Sequence, residues 1–300
     1  MGTPPFAAKA LEAMIEKGYN IRAVFTQPPK PAGRGMKTQI SAVQKVGEMV
    51  GLPVHTPHKW DAHAIEILQE AAVDLVIVAA YGFLLPSTVL SLPPLGCVNI
   101  HASLLPRWRG AAPIPKAILE GDLETGITLM YMNTGMDTGD MIAQKPIAIS
   151  ATATGGGLYT ELSEVGATLL LETLPLLFDG KAKRYPQPNT GITYAPKINA
   201  QDFAIDWTRP ADWIERQVRA YHPKVHFYTR DQRRFRLLKC SISSTTSHAP
   251  PGTILNNTPD VSCGDGALTL LEIQPDGRPI MDAKNAKNGY LYFASGQKLN

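Results

Sequence analysis

Asn99 and His101 stand two residues apart at the end of the apolar run 96–100. On a strand this spacing turns both side chains to one face, where they can converge on a single substrate atom. A side-chain amide donates a hydrogen bond to an oxygen that is acquiring negative charge, and an imidazole accepts or relays a proton near pH 7. Asp137, in the glycine-punctuated loop 133–141, would fix the imidazole and stabilise its charge. The three together suit attack of an amine on a carbonyl, where negative oxygen appears and the amine must lose a proton. No Ser or Cys sits in a nucleophile elbow, which favours direct transfer without a covalent enzyme intermediate. The residues alone also allow Asn99 and His101 simply to close a turn.

Around this stretch, helices and strands alternate. Residues 5–17 read as an amphipathic helix stopped by Gly18, 21–26 as a short buried strand, and 40–50 and 62–71 as two more helices. Then come a strand at 75–80, the strand 95–100 that carries Asn99, a helix at 115–119 and a strand at 127–132. Such alternation builds parallel βαβ units and a doubly wound, mostly parallel α/β sheet, whose ligands lie at the carboxyl ends of the strands. Met1-Gly2-Thr3-Pro4 opens directly into the first helix and reads as the loop that follows a strand. The expectation is therefore that the natural chain starts upstream, or that the sheet lacks a central strand.

A long helix is predicted over 158–178, with Leu158, Leu162, Val165, Leu169 and Leu170 on its apolar face. Gly155-Gly156-Gly157 before it lack the lysine and spacing of a phosphate-binding loop and predict a flexible entry. Residues 181–202, rich in Pro, Gly and Lys and without sustained periodicity, predict a linker between a first domain at 1–180 and a second at 203–300. In the second, a helix over 210–221 turns Ile214 and Val218 inward. Short apolar runs at 225–228, 234–240, 253–255 and 268–273, separated by Pro-Gly and Asp-Gly turns, give the pattern of a small antiparallel β-barrel.

Composition sets outer bounds. With 44% apolar and 18% charged residues, the 300-residue chain is of globular type. No segment is long and apolar enough to span a bilayer, no secretory signal is visible, and three dispersed cysteines form no disulfide or zinc pattern, so a cytoplasmic location is expected. His55, His58, Asp61 and His63 sit across Pro57 and a helix start, which suits a surface loop capped by Asp61 better than a metal site. Net charge is +3; residues 1–200 balance 16 basic against 16 acidic side chains, and the last hundred carry 13 against 10. That excess fits a weak contact with a polyanion and a solvated surface equally well.

Asn-x-His followed by Ser103-Leu104-Leu105-Pro106 and Arg109-Gly110, with Asp137-Thr138-Gly139 after a strand, resembles the folate-dependent formyltransferase family. Gly2-Thr3-Pro4, Phe25-Thr26-Gln27-Pro28, Pro31-Ala32-Gly33-Arg34-Gly35 and the run from Leu104 to Ile114 are similar to the members of that family that act on methionyl-tRNA. Weaker matches at 205–207 and 249–254 carry the resemblance into the last third. It implies a Rossmann-like catalytic domain of formyltransferase type, followed by a barrel resembling oligonucleotide-binding folds that contacts tRNA. It also makes Asn99, His101 and Asp137 the catalytic set and 10-formyltetrahydrofolate the formyl donor. Ser103, Leu104, Leu105 and Pro106 would line the donor site, the loop 81–86 with Gly82 and Leu84 would offer backbone groups to the pterin, and Asp140 would help close the pocket. Taken alone, Leu84 reads as a core residue.

The implied acceptor is the α-amine of initiator methionyl-tRNA, bound by a monomer that needs neither metal nor membrane. In the resembled family the loop 27–37 meets the acceptor end of tRNA, which points to Lys30, Arg34 and Lys37 as contacts. Arg234 and Arg236 alternate with apolar residues on a basic strand, fitting either a phosphate-tracking face or a charged, guarded sheet edge. Residues 221–225 and 285–300 depart from the family pattern. An amino sugar nucleotide N-formyltransferase would share the catalytic set but lack the 31–35 loop and the basic barrel, and a non-catalytic tRNA-binding protein would not need Asn99, His101 and Asp137. A formyltransferase acting on glycinamide ribonucleotide would end near residue 200.

Overall fold

The computed structural model describes residues 1–32, 36–256, 259–290 and 293–300. In chain order the elements are α1 (Pro5–Glu16), β1 (Val24–Phe25), β2 (Lys30–Ala32), β3 (Lys37–Gln39), α2 (Ala42–Met49), β4 (Val54–His55) and α3 (Ala62–Glu70). There follow β5 (Val76–Val78), α4 (Ser87–Leu90), β6 (Cys97–His101), β7 (Arg109–Gly110), α5 (Pro113–Leu119), β8 (Glu124–Tyr131), β9 (Met141–Ala148), α6 (Gly155–Phe178) and β10 (Tyr194–Ala195). The last hundred residues carry α7 (Ala211–Ala220), β11 (His226–Tyr228), β12 (Arg234–Ile242), β13 (Asp260–Ser262), β14 (Ala267–Pro275) and β15 (Met281–Asp282). They divide between two units, one of Met1–Pro113, Glu124–Ala148 and Tyr159–Pro196, the other of Ile114–Leu123, Ile149–Leu158 and Lys197–Asn300. The stretch 181–202, expected as a linker, is thus shared: its residues up to Pro196 cluster with the first unit.

In the first unit β5 and β6 pair in parallel, Val78 opposite Asn99, and β1 pairs in parallel with β4. β6, β8 and β9 continue the sheet antiparallel, so it is mixed. The sequence reading missed β9 because Gln144, Lys145 and Pro146 interrupt it. As a mostly exposed edge strand it tolerates them, since an edge proline removes no needed ladder donor. Leu68 of α3 and Val89 of α4 join Phe25, Val76, Val78 and Cys97 in one core. On the other face α6 lies against β6 and β8, where a Cβ on Gly166 would sit 3.1 Å from the Ile100 side chain. Helices therefore cover both faces, as a doubly wound sheet requires.

Local signals explain the helix ends. Pro5 opens α1, where a missing N–H costs nothing. The Ser41 hydroxyl caps α2 by accepting from Gln44 N–H, and the Asp61 carboxylate caps α3 by accepting from Ala64 N–H at 3.0 Å. Gly155-Gly156-Gly157 form the first turn of α6, not a loose entry; the Thr154 hydroxyl accepts from Gly157 N–H and offsets the conformational cost of three glycines.

Met1 and Gly2 lie between β1 and β5. Met1 N donates to Ile77 O at 2.7 Å, Ala79 N to Met1 O and Gly2 N to Phe25 O, each of the latter at 3.0 Å. Thr3 continues the link just beyond, its hydroxyl donating to Tyr81 O at 3.1 Å and accepting from Gln27 N–H at 3.4 Å, and a cavity of about 510 Å³ lined by Leu11, Met14, Val24, Val76 and Leu174 opens beside these segments. Burial holds the Met1 ammonium well below its ordinary range, at about 5.

The second unit is an antiparallel sheet in the order β11-β12-β14-β13, with β15 on β14. Register shifts in β12 between Leu237 and Cys240 bend it, and bridges from Thr229 to Leu299 and from Thr253 to Lys298 fold the chain end onto it, as in a small barrel. Phe227 and Phe235 stack at 5.6 Å in a core with Ile214 and Val218 of α7, Leu268 and Ile273. Buried Asp260 accepts hydrogen bonds from Ser243, Thr245, Asn256 and Thr269. Burial alone would raise its carboxyl, but these four donors together hold it below the usual range.

Candidate active site

Strand β6 delivers the first two site residues. Asn99 opposes Met130 and His101 opposes Thr128 of β8, so both side chains leave the same face. Asp137 arrives from the loop after β8 and joins them. Its Oδ1 accepts from Asn99 Nδ2 at 3.4 Å, its Oδ2 accepts from Gly110 N–H at 2.8 Å, and the same Oδ2 lies 3.6 Å from His101 Nδ1. His101 is buried and its Nε2 is 2.9 Å from Trp108 O. A carbonyl can only accept, so Nε2 carries hydrogen and Nδ1 is the nitrogen turned to the carboxylate. Amide, imidazole and carboxylate thus meet in one half-buried cluster.

The backbone bends sharply to achieve this. Trp108 and Asp137 adopt left-handed φ of 62° and 51° without being glycine, strain that is held by surrounding structure. Gly110 has φ 118°, and a Cβ there would stand 2.6 Å from Ala195 O, so only glycine lets β7 pair with β10. The preceding turn 103–106 is anchored by Thr128, whose buried hydroxyl donates to Ser103 O at 2.7 Å and accepts from Leu105 N–H and Gln144 Nε2. Ser103 spends its own hydroxyl on Arg107 O, Leu105 is buried, and Leu104 and Pro106 are partly exposed.

The loop after β5 leaves the sheet at the same end as Asn99, because β5 and β6 are parallel and in register there. Gly82 takes φ 82°, and Leu84 is 85% exposed, so it is no core residue but an apolar side chain presented to solvent. Gln27 ties this loop to the β2–β3 hairpin: its Nε2 donates to Tyr81 O at 3.0 Å and its Oε1 accepts from Lys30 Nζ at 2.7 Å. Lys37 is exposed on β3, and Arg34 lies outside the described residues. Asp140 uses its carbonyl to receive Tyr131 N–H where β9 begins.

In the second unit Arg234 and Arg236 lie on the face of β12 opposite Phe235 and Leu237. β12 is flanked by β11 and β14, so these charges do not guard a sheet edge. Arg234 pairs with Asp276 at 3.4 Å.

Sequence reasoning missed Gln187, Arg109 and Thr193. Trp108 N–H donates to the Thr193 hydroxyl, Arg109 N–H to Thr193 O, and Gln187 holds both Arg109 and the Asp137 loop. Thr193 and Gln187 come from the proline-rich stretch 181–202, which has no periodicity to mark it. Among the described residues no group of three His, Cys, Asp or Glu side chains is arranged to hold a metal, and no helix is long and apolar enough to cross a membrane.

Residues 1–174 match the family described as Formyl transferase, and residues 197–291 match Formyl transferase, C-terminal domain. A methionyl-tRNA formyltransferase of Symbiobacterium thermophilum is 46% identical over 296 residues, covering 96% of this chain and 91% of that one. Among solved structures, the sugar 3N-formyl transferase WlaRD, crystallised with dTDP and 5-N-formyl-THF, aligns with a TM-score of 0.67 at 18% identity, over 93% of this chain and 97% of that one. HypX from Aquifex aeolicus in complex with tetrahydrofolic acid aligns with a TM-score of 0.60 at 17% identity, over 93% of this chain and 49% of that one. At such identities the solved structures speak for the fold alone. The family matches and the near-full-length relative, laid over the Asn99, His101 and Asp137 cluster, place this chain in the formyl transferase family.

Proposed function

We propose that this chain transfers the formyl group of 10-formyltetrahydrofolate to the α-amine of methionine esterified to initiator tRNA. The observation that carries the reading is the convergence of Asn99, His101 and Asp137 on one face of β6, in a chain 46% identical to a methionyl-tRNA formyltransferase. The donor supplies an activated one-carbon carbonyl. Its flat heteroaromatic ring fits an apolar wall with backbone donors and acceptors, which the exposed Leu84 beside Gly82, together with Leu104 and Pro106, would furnish. Asp140 would help close that pocket.

As the amine attacks, negative charge grows on the formyl oxygen. Asn99, through its side-chain amide, and a protonated His101 would stabilise it. Asp137 holds the imidazole and, directly or through water, helps pass the amine proton toward the departing folate nitrogen. Lys30, Arg34 and Lys37 would meet the acceptor end of the tRNA, and Arg234 and Arg236 its phosphates, giving residues 203–300 a tRNA-binding role beside a catalytic domain at 1–180. The protein would work as a monomer in the cytoplasm. Asp137→Asn and His101→Ala are each expected to lower kcat by about a hundredfold or more, with tRNA affinity in filter binding nearly unchanged. Near-parental turnover in both would refute the assignment.

A further inference from the structure

Gln187 lies between two prolines and belongs to neither the sheet nor a helix, yet its side chain joins both walls of the site. Its Nε2 donates to Asp137 O at 2.8 Å and to Gly139 O at 2.9 Å, and its Oε1 accepts from Arg109 Nε at 3.1 Å and Nη2 at 2.7 Å. The amide orientation is unambiguous, because a guanidinium can only donate and the two carbonyls can only accept. Arg109 is 7% exposed and directly precedes Gly110, whose N–H donates to Asp137 Oδ2. The loop it grips is one that resists this shape on its own. Asp137 is left-handed, and the close approach of Gly139 to Tyr131 O leaves no room for a Cβ.

We propose that Gln187, oriented by Arg109, is the positioning residue that sets the Asp137 carboxylate against His101 and Asn99. It grips the backbone on both sides of the turn, and the charge-assisted bonds from Arg109 polarise its amide into a stronger donor. The proposal rests on the reading of Asp137 as a catalytic residue. Displacement of a catalytic group by about 1 Å costs on the order of a hundredfold in rate, so release of the clamp should appear in kcat and leave substrate affinity in place.

Two variants separate positioning from mere support. Gln187→Glu keeps a partner for Arg109 but turns an acceptor toward both loop carbonyls, whereas Gln187→Met removes the clamp without adding charge. Both are expected to lower kcat by roughly ten- to a hundredfold, with KM for donor and for charged tRNA nearly unchanged. Gln187→Glu should also retain the parental melting temperature. The proposal is overturned if either variant turns over at the parental rate while Asp137→Asn is inactive, or if the loss in kcat follows the fraction of unfolded protein in thermal melts. An active Asp137→Asn would instead remove the reading of Asp137 beneath it.

Discussion

A single carboxylate oxygen, Asp137 Oδ2, is shared between the Gly110 N–H at 2.8 Å and the imidazole of His101 at 3.6 Å. The two-residue spacing of Asn99 and His101 was legible in the sequence because a strand fixes which side chains share a face. Their third partner was legible only as a carboxylate in a glycine-rich loop, and the Trp108 carbonyl that sets the tautomer of His101 was not legible at all, since a backbone acceptor leaves no mark in the sequence. Direct transfer has a consequence for the thiols. Burial pushes Cys97, two residues from Asn99, up to about 11 and Cys263 up to about 12, and raises Cys240 as well. Raised thiol pKa values mean protonated, unreactive sulfur near neutrality. All three are therefore expected to resist iodoacetamide at about pH 8 in the native protein and to react after unfolding, as read by intact mass. Rapid native alkylation of any one with loss of turnover would reopen a covalent route.

At the scale of elements, the strands and helices that follow strong periodicity fell where the pattern placed them, at α1, β1, α2, α3, β5, β6 and again at α7, whereas the hairpin β2–β3 lies in a stretch that reads as a loop. Elements that depend on partners did not. β9 reads as polar because one face and one edge meet solvent, and β10 is two residues long and exists only because Tyr194 and Ala195 pair with Arg109 and Gly110. Thr128 shows how an element carries a turn. Its hydroxyl is fully buried in β8 and makes three hydrogen bonds, two of which fix residues 103–105 and the third of which holds Gln144. Thr128→Val keeps the shape but strands Leu105 N–H and Ser103 C=O, so urea denaturation should show a loss of about 2–4 kcal/mol. A loss below about 0.5 kcal/mol would mean that water replaces the hydroxyl and that the turn does not depend on it.

For the whole molecule, the alternation of helix and strand followed by short strands and turns was enough to separate an α/β unit from a small antiparallel β unit. What composition could not say was which polyanion, if any, the basic excess of the last hundred residues meets; Arg236 on the inner strand β12 faces outward on the side opposite its core. Family membership narrows this to the choice of formyl acceptor. The direct measurement is the initial rate of tetrahydrofolate release from 10-formyltetrahydrofolate with initiator methionyl-tRNA, compared with a dTDP-linked amino sugar at equal concentration. Release with the charged tRNA is expected to be at least about a hundredfold faster than with the sugar nucleotide. Equal or faster release with the sugar nucleotide would contradict it.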